Sequence, residues 1–262
     1  MRVILLTESE KGTAAHHLPY LLESEKIKVV MAIRSRGIKA DKKKYWSKKI
    51  RKSFTIGPLG VINGFRMRTW FGENVNQLLR LPSLKEICAV NGIEYAEVDY
   101  TNGNDTVELF KKANADIGIS LGNSYISKKV FSLPAHGMIN IHHEILPEYQ
   151  NAQSIIWQLY NNSAETGYTI HKITPKIDGG DILFQEKVPI VFKEKLSDTI
   201  AHTSASLLKA SAIGLVRVLE NFNIYTGQAK PQGQGKCYTT PTGLQFFRIV
   251  RNFNRLKKQY GA

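Results

Sequence analysis

Two polar side chains interrupt an otherwise apolar strand pattern, Met138-Ile139-Asn140-Ile141-His142, and a period of two places Asn140 and His142 on the same face. An amide and an imidazole placed this way have two readings. They are joined in a buried polar network, or they stand at the carboxyl end of the strand, facing the crevice where open α/β sheets bind ligands. His143 follows and points the other way, as expected of an exposed histidine at a strand exit. A second locus is Ile177-Asp178-Gly179-Gly180-Asp181, where paired glycines permit positive φ and close approach of backbone to ligand; Asp-Gly-Gly is also ordinary hairpin chemistry. Asp178 is the candidate for chemistry there, and Asp181, beginning a strand, reads as a turn residue. The chain has no GxGxxG or GxxxxGK[ST] phosphate loop, no HExxH or CxxC and no GxSxG elbow, which argues against dinucleotide, P-loop, zinc and serine-hydrolase chemistry. Gly12 and Thr13 read as a plain helix start or as backbone donors to a phosphate.

The elements that must position these residues alternate. Val3 to Leu6 and Ile27 to Ile33 are short continuous apolar runs, as in strands buried on both faces of a parallel sheet, with a helix over Ala14 to Glu23 between them. Ser83, three residues before Glu86, opens a helix through a capping box, and Asn91 and Gly92 close it. Strands follow near Tyr95 to Val98, Ile117 to Leu121 and Met138 to His142, with helices at Thr106 to Ala113 and Ala152 to Tyr160. Thr166 to Thr174 and Ile182 to Ile190 read as two more strands joined by a tight turn at Asp178 to Gly180. A long helix fits Ser197 to Glu220, capped by Ser197 or Asp198. This alternation predicts a parallel, doubly wound sheet. Between Lys39 and Leu81 the pattern is irregular, punctuated by Gly57, Pro58, Gly60 and Gly64, and reads as an insertion.

The 262 residues are 42% hydrophobic, enough for one substantial core, and the two cysteines, Cys88 and Cys237, support neither a disulfide framework nor a cysteine zinc site. No apolar stretch reaches bilayer length and no signal peptide is visible, so a cytoplasmic location is expected. The net charge of +14 is uneven. Ten basic residues from Arg34 to Lys52 face the single acid Asp41, seven follow Glu220 with no acid, and the remaining body is close to neutral.

The string from Asn140 to Gln185 resembles the core of the formyltransferases that use 10-formyltetrahydrofolate, a family that includes glycinamide ribonucleotide, methionyl-tRNA and sugar-nucleotide N-formyltransferases. Asn140-x-His142, Leu146-Pro147, the Gly167 to His171 strand and Asp178-Gly179-Gly180-Asp181 occur in the family's order and spacing, and the likeness is close over residues 119–190. The resemblance implies a Rossmann-like, mostly parallel α/β sheet of the formyltransferase type. Residues 1–220 would form the catalytic domain, with a basic insertion at about 36–81, and residues 221–262 a short basic C-terminal extension. It implies Asn140, His142 and Asp178 as the catalytic triad. It implies folate contacts at Ser124, Ile126, Ile173, Thr174 and Ile177, with 10-formyltetrahydrofolate as co-substrate and no metal. Glu144-Ile145-Leu146-Pro147, then Tyr149, Gln150 and Asn151, depart from the family's Ser-Leu-Leu-Pro and Arg-Gly in the loop that faces the acceptor.

The chemistry agrees with these residue types. As an amine attacks the formyl carbon, Asn140 can donate to the developing oxyanion, and protonated His142 can donate and then protonate the leaving folate nitrogen. Asp178 can favour the imidazolium and accept the amine's proton. By elimination among the family's acceptors, an amino sugar carried by a nucleotide is expected, in surface-polysaccharide synthesis. The tRNA enzyme normally adds a C-terminal β-rich domain that the residues after Glu220 do not supply, and the glycinamide ribonucleotide enzyme is shorter. The alternatives are a tRNA-directed formyltransferase using the basic segments on phosphates, and a non-catalytic folate- or nucleotide-binding protein. Tyr45, Trp46, Ile50 and Phe54 lie among cations, and Leu244, Phe247, Val250 and Phe253 recur at helical spacing beside Arg248, Arg251 and Arg255. This pattern suits peripheral attachment to an anionic inner-membrane surface. The same aromatics packing the tail onto the domain is the other reading. The acceptor's identity and the oligomeric state stay open.

Overall fold

In the computed structural model, residues 1–38, 42–151 and 153–261 are described; Lys39, Asp41, the side chains of Lys42 and Lys44, and Ala152 at the expected start of a helix lie outside them. The strands are β1 (Arg2–Thr7), β2 (Lys28–Ser35), β3 (Glu94–Val98), β4 (Ile117–Ser120), β5 (Met138–His142), β6 (Glu165–Lys172) and β7 (Ile182–Pro189). They form one sheet in the order β3-β2-β1-β4-β5-β6-β7. The first five are parallel, while β6 pairs antiparallel with β5 and with β7. This is the mostly parallel α/β sheet expected. The chain order reverses at β1, whose neighbours are β2 and β4, and that reversal opens a crevice at the strands' carboxyl ends.

The period of two along β1 feeds two cores. Val3 and Leu5 face helices α1 (Thr13–Leu22), α4 (Leu84–Val90) and α8 (Leu196–Glu220), whereas Ile4 and Leu6 face α5 (Asn104–Ala113) and α6 (Lys128–Phe131). The Ser83–Glu86 capping box forms as read: Glu86 N donates to Ser83 Oγ at 3.1 Å and Ser83 N to Glu86 Oε2 at 2.7 Å. Helix α8 starts one residue earlier than read. Lys195 is its N-cap, without a side-chain cap; Ser197 and Asp198 lie in its first turn and bond each other instead. The link between β6 and β7 spans residues 173–181 and is longer than the tight turn expected.

The segment read as irregular is helical. Helix α2 (Lys42–Phe71) and α3 (Glu73–Leu79) occupy most of it, and Gly57, at φ 71°, breaks α2 ahead of Pro58. A positive φ is costly for residues with a Cβ, and proline removes a helical N–H, so two straight pieces meet at these residues. Before the break only Ile56 is buried among residues 43–56 whose side chains are described, so no core-facing stripe marks this helix. The tail folds back through α9 (Phe222–Gly227) and α10 (Gly243–Tyr260). Phe246, Ile249, Phe253 and Leu256 of α10 pack with Met67 of α2 and with Ile156 and Leu159 of α7 (Ile156–Tyr160) in a third core. Phe253 therefore serves packing, whereas Leu244 and Phe247 remain exposed.

Candidate active site

A cavity of about 570 Å³ lies at the carboxyl ends of β1, β4 and β5, within the size range of small-ligand sites. All eight residues singled out in the sequence line it: Asn140, His142 and Asp178, with Ser124, Ile126, Ile173, Thr174 and Ile177. Phe71, Val75 and Asn76 add a wall from the end of α2 and from α3, so these helices are part of the cavity.

Asn140 and His142 end β5 as the alternation requires, and His171 stands opposite Asn140 in the antiparallel pairing with β6. His171 Nδ1 lies 2.9 Å from Lys172 O, a contact that needs the proton on Nδ1. Nε2 is then an acceptor, and Asn140 Nδ2 donates to it at 3.2 Å. Burial pushes the His171 imidazole down to about 4 despite the pull of Asp178, whose Oδ1 lies 3.9 Å from Nε2. The ring is therefore neutral at neutral pH and orients the Asn140 amide, whose Nδ2 carries a second N–H. His142 Nε2 donates to Tyr149 O at 3.0 Å. Asp178, at φ 48°, accepts from Asn151 N at 3.0 Å. Gly180 is obligatory beside it, because a Cβ there would collide with Lys172 O. Within 4.0 Å the ion-pair partner of Asp178 is His171, and no ion pair joins it to His142 among the described residues. Sequence reasoning missed His171; its signal is the period of two along β6, which puts Thr169 and His171 on one face.

The expected folate contacts divide by environment. Ser124 is tied to Glu8, its N donating to Oε1 at 3.2 Å and its Oγ to Oε2 at 2.9 Å. Ile126 is buried in the core under the cavity, Ile173 packs against that core, and Ile177 stands at the rim, 61% exposed. Thr174 Oγ1 donates to Lys176 O at 3.2 Å and shapes the loop leading to Asp178.

His143, expected exposed, is half-buried and belongs to a hydrogen-bonded chain. His17 Nδ1 donates to Thr13 O at 2.7 Å, so its Nε2 accepts from Ser211 Oγ at 3.0 Å, and Ser211 Oγ in turn accepts from His143 Nε2 at 3.1 Å. Leu208 O, 3.0 Å from Ser211 Oγ, competes for that single hydroxyl hydrogen. Burial, with His142 and His16 nearby, lowers His143 to about 4, and burial holds His17 well below the usual imidazole range. Glu144 follows. It is 1% exposed, with Oε2 paired to the Gln158 amide and Oε1 without a partner, and burial raises its carboxyl well above the usual range. A buried acid, its protonated form favoured by burial, therefore stands where the resembling family has serine.

The tail clamps the cavity rim. Gln150 N donates to Lys236 O at 2.9 Å, Tyr238 N to Gln150 O at 2.9 Å, and Asn151 Nδ2 to Tyr238 O at 3.1 Å. Trp157 Nε1 donates to Thr239 O at 3.0 Å, and Tyr238 stacks on Tyr149 at 5.5 Å. Asn151, which holds Asp178, is thus fixed from residues 236–239.

Comparison with known proteins bears on this arrangement. Residues 90–219 match the family described as formyl transferase. A methionyl-tRNA formyltransferase of Caldicellulosiruptor saccharolyticus is 30% identical over 149 residues, 56% of this chain and 47% of that protein; the chain spans about half the length of such relatives. Among solved structures, glycinamide ribonucleotide transformylase 1 from Symbiobacterium toebii superposes with a TM-score of 0.56 at 15% identity, covering 90% of this chain and 92% of that one. An N-formyltransferase from Helicobacter canadensis, described in complex with folinic acid and dTDP-3-aminofucose, superposes with a TM-score of 0.51 at 16% identity, covering 96% and 80%. At these identities the structural likeness shows the fold, and the sequence match supplies the relationship for part of the chain: residues 90–219 carry the match to the formyl transferase family.

Proposed function

We propose that the chain is an N-formyltransferase that moves the formyl group of 10-formyltetrahydrofolate to a primary amine, most favourably on a nucleotide-linked amino sugar. The observation that carries this reading is the lining of one cavity by Asn140, His142 and Asp178 together with the five expected folate contacts. The residues suit the co-substrate: isoleucines offer apolar wall to a pterin ring, and about 570 Å³ accommodates a ligand of that class. Asn140, its amide oriented by neutral His171, gives its second N–H to the carbonyl oxygen as charge develops. Protonated His142, its ring held by Tyr149 O, donates to the same oxygen and then delivers its proton to the departing folate nitrogen. Asp178 takes the proton lost by the attacking amine, directly or through water.

The acceptor assignment draws support from the overlay on the Helicobacter canadensis structure, which covers 96% of this chain and 80% of that one. A tRNA-directed enzyme is the second reading, favoured by the names of the relatives and by the acid-free basic segments. Incubating the protein with 10-formyltetrahydrofolate and a panel of nucleotide-linked amino sugars, glycinamide ribonucleotide and methionyl-tRNA, and following tetrahydrofolate release, tests both. Release with an amino sugar, abolished in Asp178→Asn, is the expected result. Release with methionyl-tRNA alone, with steep salt dependence, establishes the second reading. Folate binding without release to any acceptor would leave a non-catalytic binding protein.

A further inference from the structure

Helices α2 and α10 carry nine and five basic residues and not one acid. Ahead of the break at Gly57, most of the described side chains of α2 are exposed. Trp46, Ile50 and Phe54, spaced by four, form a stripe along one face of the helix and are 58%, 56% and 85% exposed. Pocket-like relief runs along this stripe, bordered by Lys43 and Arg51. The start of α10 adjoins the break. A Cβ on Gly60 would lie 3.0 Å from Pro241 O, and one on Gly243 3.0 Å from Leu59 Cβ. There α10 presents Leu244 and Phe247, 88% and 77% exposed, ahead of Arg248 and Arg251.

We propose that this two-helix surface, the stripe of α2 before Gly57 and the first turns of α10, docks on an anionic phospholipid bilayer. Charge complementarity selects the occupant. A second copy of the chain would bring the same acid-free surface against this one, so self-association through it opposes like charges. A polyphosphate such as tRNA matches the cations but gives the aliphatic Ile50 and Leu244 nothing to enter. An anionic bilayer satisfies both, with headgroups at the lysines and arginines and the headgroup–acyl boundary receiving Trp46, Phe54 and Phe247. Among the described residues no helix is long and apolar enough to cross a membrane, so the contact lies in the plane of the interface.

The test uses the whole chain with vesicles of phosphatidylcholine alone or mixed with phosphatidylglycerol, sedimented at low and high salt, with intrinsic tryptophan emission recorded. Binding to the anionic vesicles at low salt, a blue shift, and weakening at high salt are expected. Withdrawing two apolar side chains from hydrocarbon in Trp46→Ser/Phe54→Ser should lower the partition coefficient about a hundredfold at unchanged charge. Lys48→Gln/Lys49→Gln should weaken binding to anionic vesicles with the stripe intact. Circular dichroism and thermal midpoints like the parent's establish that both variants are folded. No binding to anionic vesicles at low salt overturns the proposal, as does equal binding to neutral vesicles or by the serine variant. Preferential capture of tRNA that displaces vesicles, or a dimer that the serine variant splits, overturns it in favour of those occupants.

Discussion

At the crevice, nearly every polar atom that could act is held by another: Asn140 by His171, His142 by Tyr149 O, Asp178 by Asn151 N, Ser124 by Glu8. Along residues 43–55, most side chains, apolar and basic alike, are exposed. The crevice is a pre-organised region, in which a substitution changes what the site does, and the basic helix is an uncommitted one, in which a substitution changes only what it meets. The contrast also separates the two halves of α2, because its continuation after Gly57 reaches the third core through Met67 and the cavity through Phe71.

That division can be broken by experiment. The largest stability effect belongs where α10 docks: Phe253→Ala should cost about 4 kcal/mol in denaturant unfolding, with turnover per folded molecule little changed. At the crevice the order reverses. His142→Ala should raise the barrier to formyl transfer by ~3 kcal/mol, seen in kcat/KM, while the unfolding midpoint stays near that of the parent. A variant that lost stability in step with activity would make His142 a packing residue.

Acid titration probes the network behind the strand. His143 has a folded value of about 4 against an ordinary 6.5, so its contribution is complete above pH 6.5 and is lost as the pH falls toward 4, by up to ~3 kcal/mol. His143→Gln should remove that part of the acid sensitivity, as read by thermal melts across this range. Glu144 has the opposite sign. Its carboxyl is raised, so it holds a proton that the unfolded chain releases above pH 4.5, and stability falls as pH rises toward its folded value. Glu144→Gln should flatten that fall, and an unchanged profile would mean that the buried acid is ionised. The smallest effect belongs to the uncommitted helix: Ile50→Ser should leave stability within about 0.5 kcal/mol.

What the sequence disclosed follows the same division. Strand β5 and the capping box of α4 coincide with their expected residues, because a period of two and a Ser-x-x-Glu spacing are local signals. Asn140, His142 and Asp178 were singled out from spacing and resemblance, and all three line the cavity. His171 was not, because its role depends on the register of a strand pair, which is a long-range fact. Helix α2 escaped notice because helix periodicity is recognised by a core-facing stripe, and the stripe at Trp46, Ile50 and Phe54 faces no core. The role of Glu144 emerged only with Gln158, a partner from another element.

The clamp of residues 236–239 on the cavity rim also sets an order of assembly. The bonds from Trp157 to Thr239 and from Asn151 to Tyr238 join residues 82 and 87 positions apart, whereas the Asn140–His171 contact closes a separation of only 31. Loop-closure entropy grows with the length enclosed, and distant contacts form once nearer ones have reduced the search. The β5–β6 floor of the site should therefore be in place while the rim that fixes Asp178 is still open. In refolding from denaturant, recovery of the far-ultraviolet signal should run ahead of recovery of turnover, and coincident recovery would show that rim and floor form together.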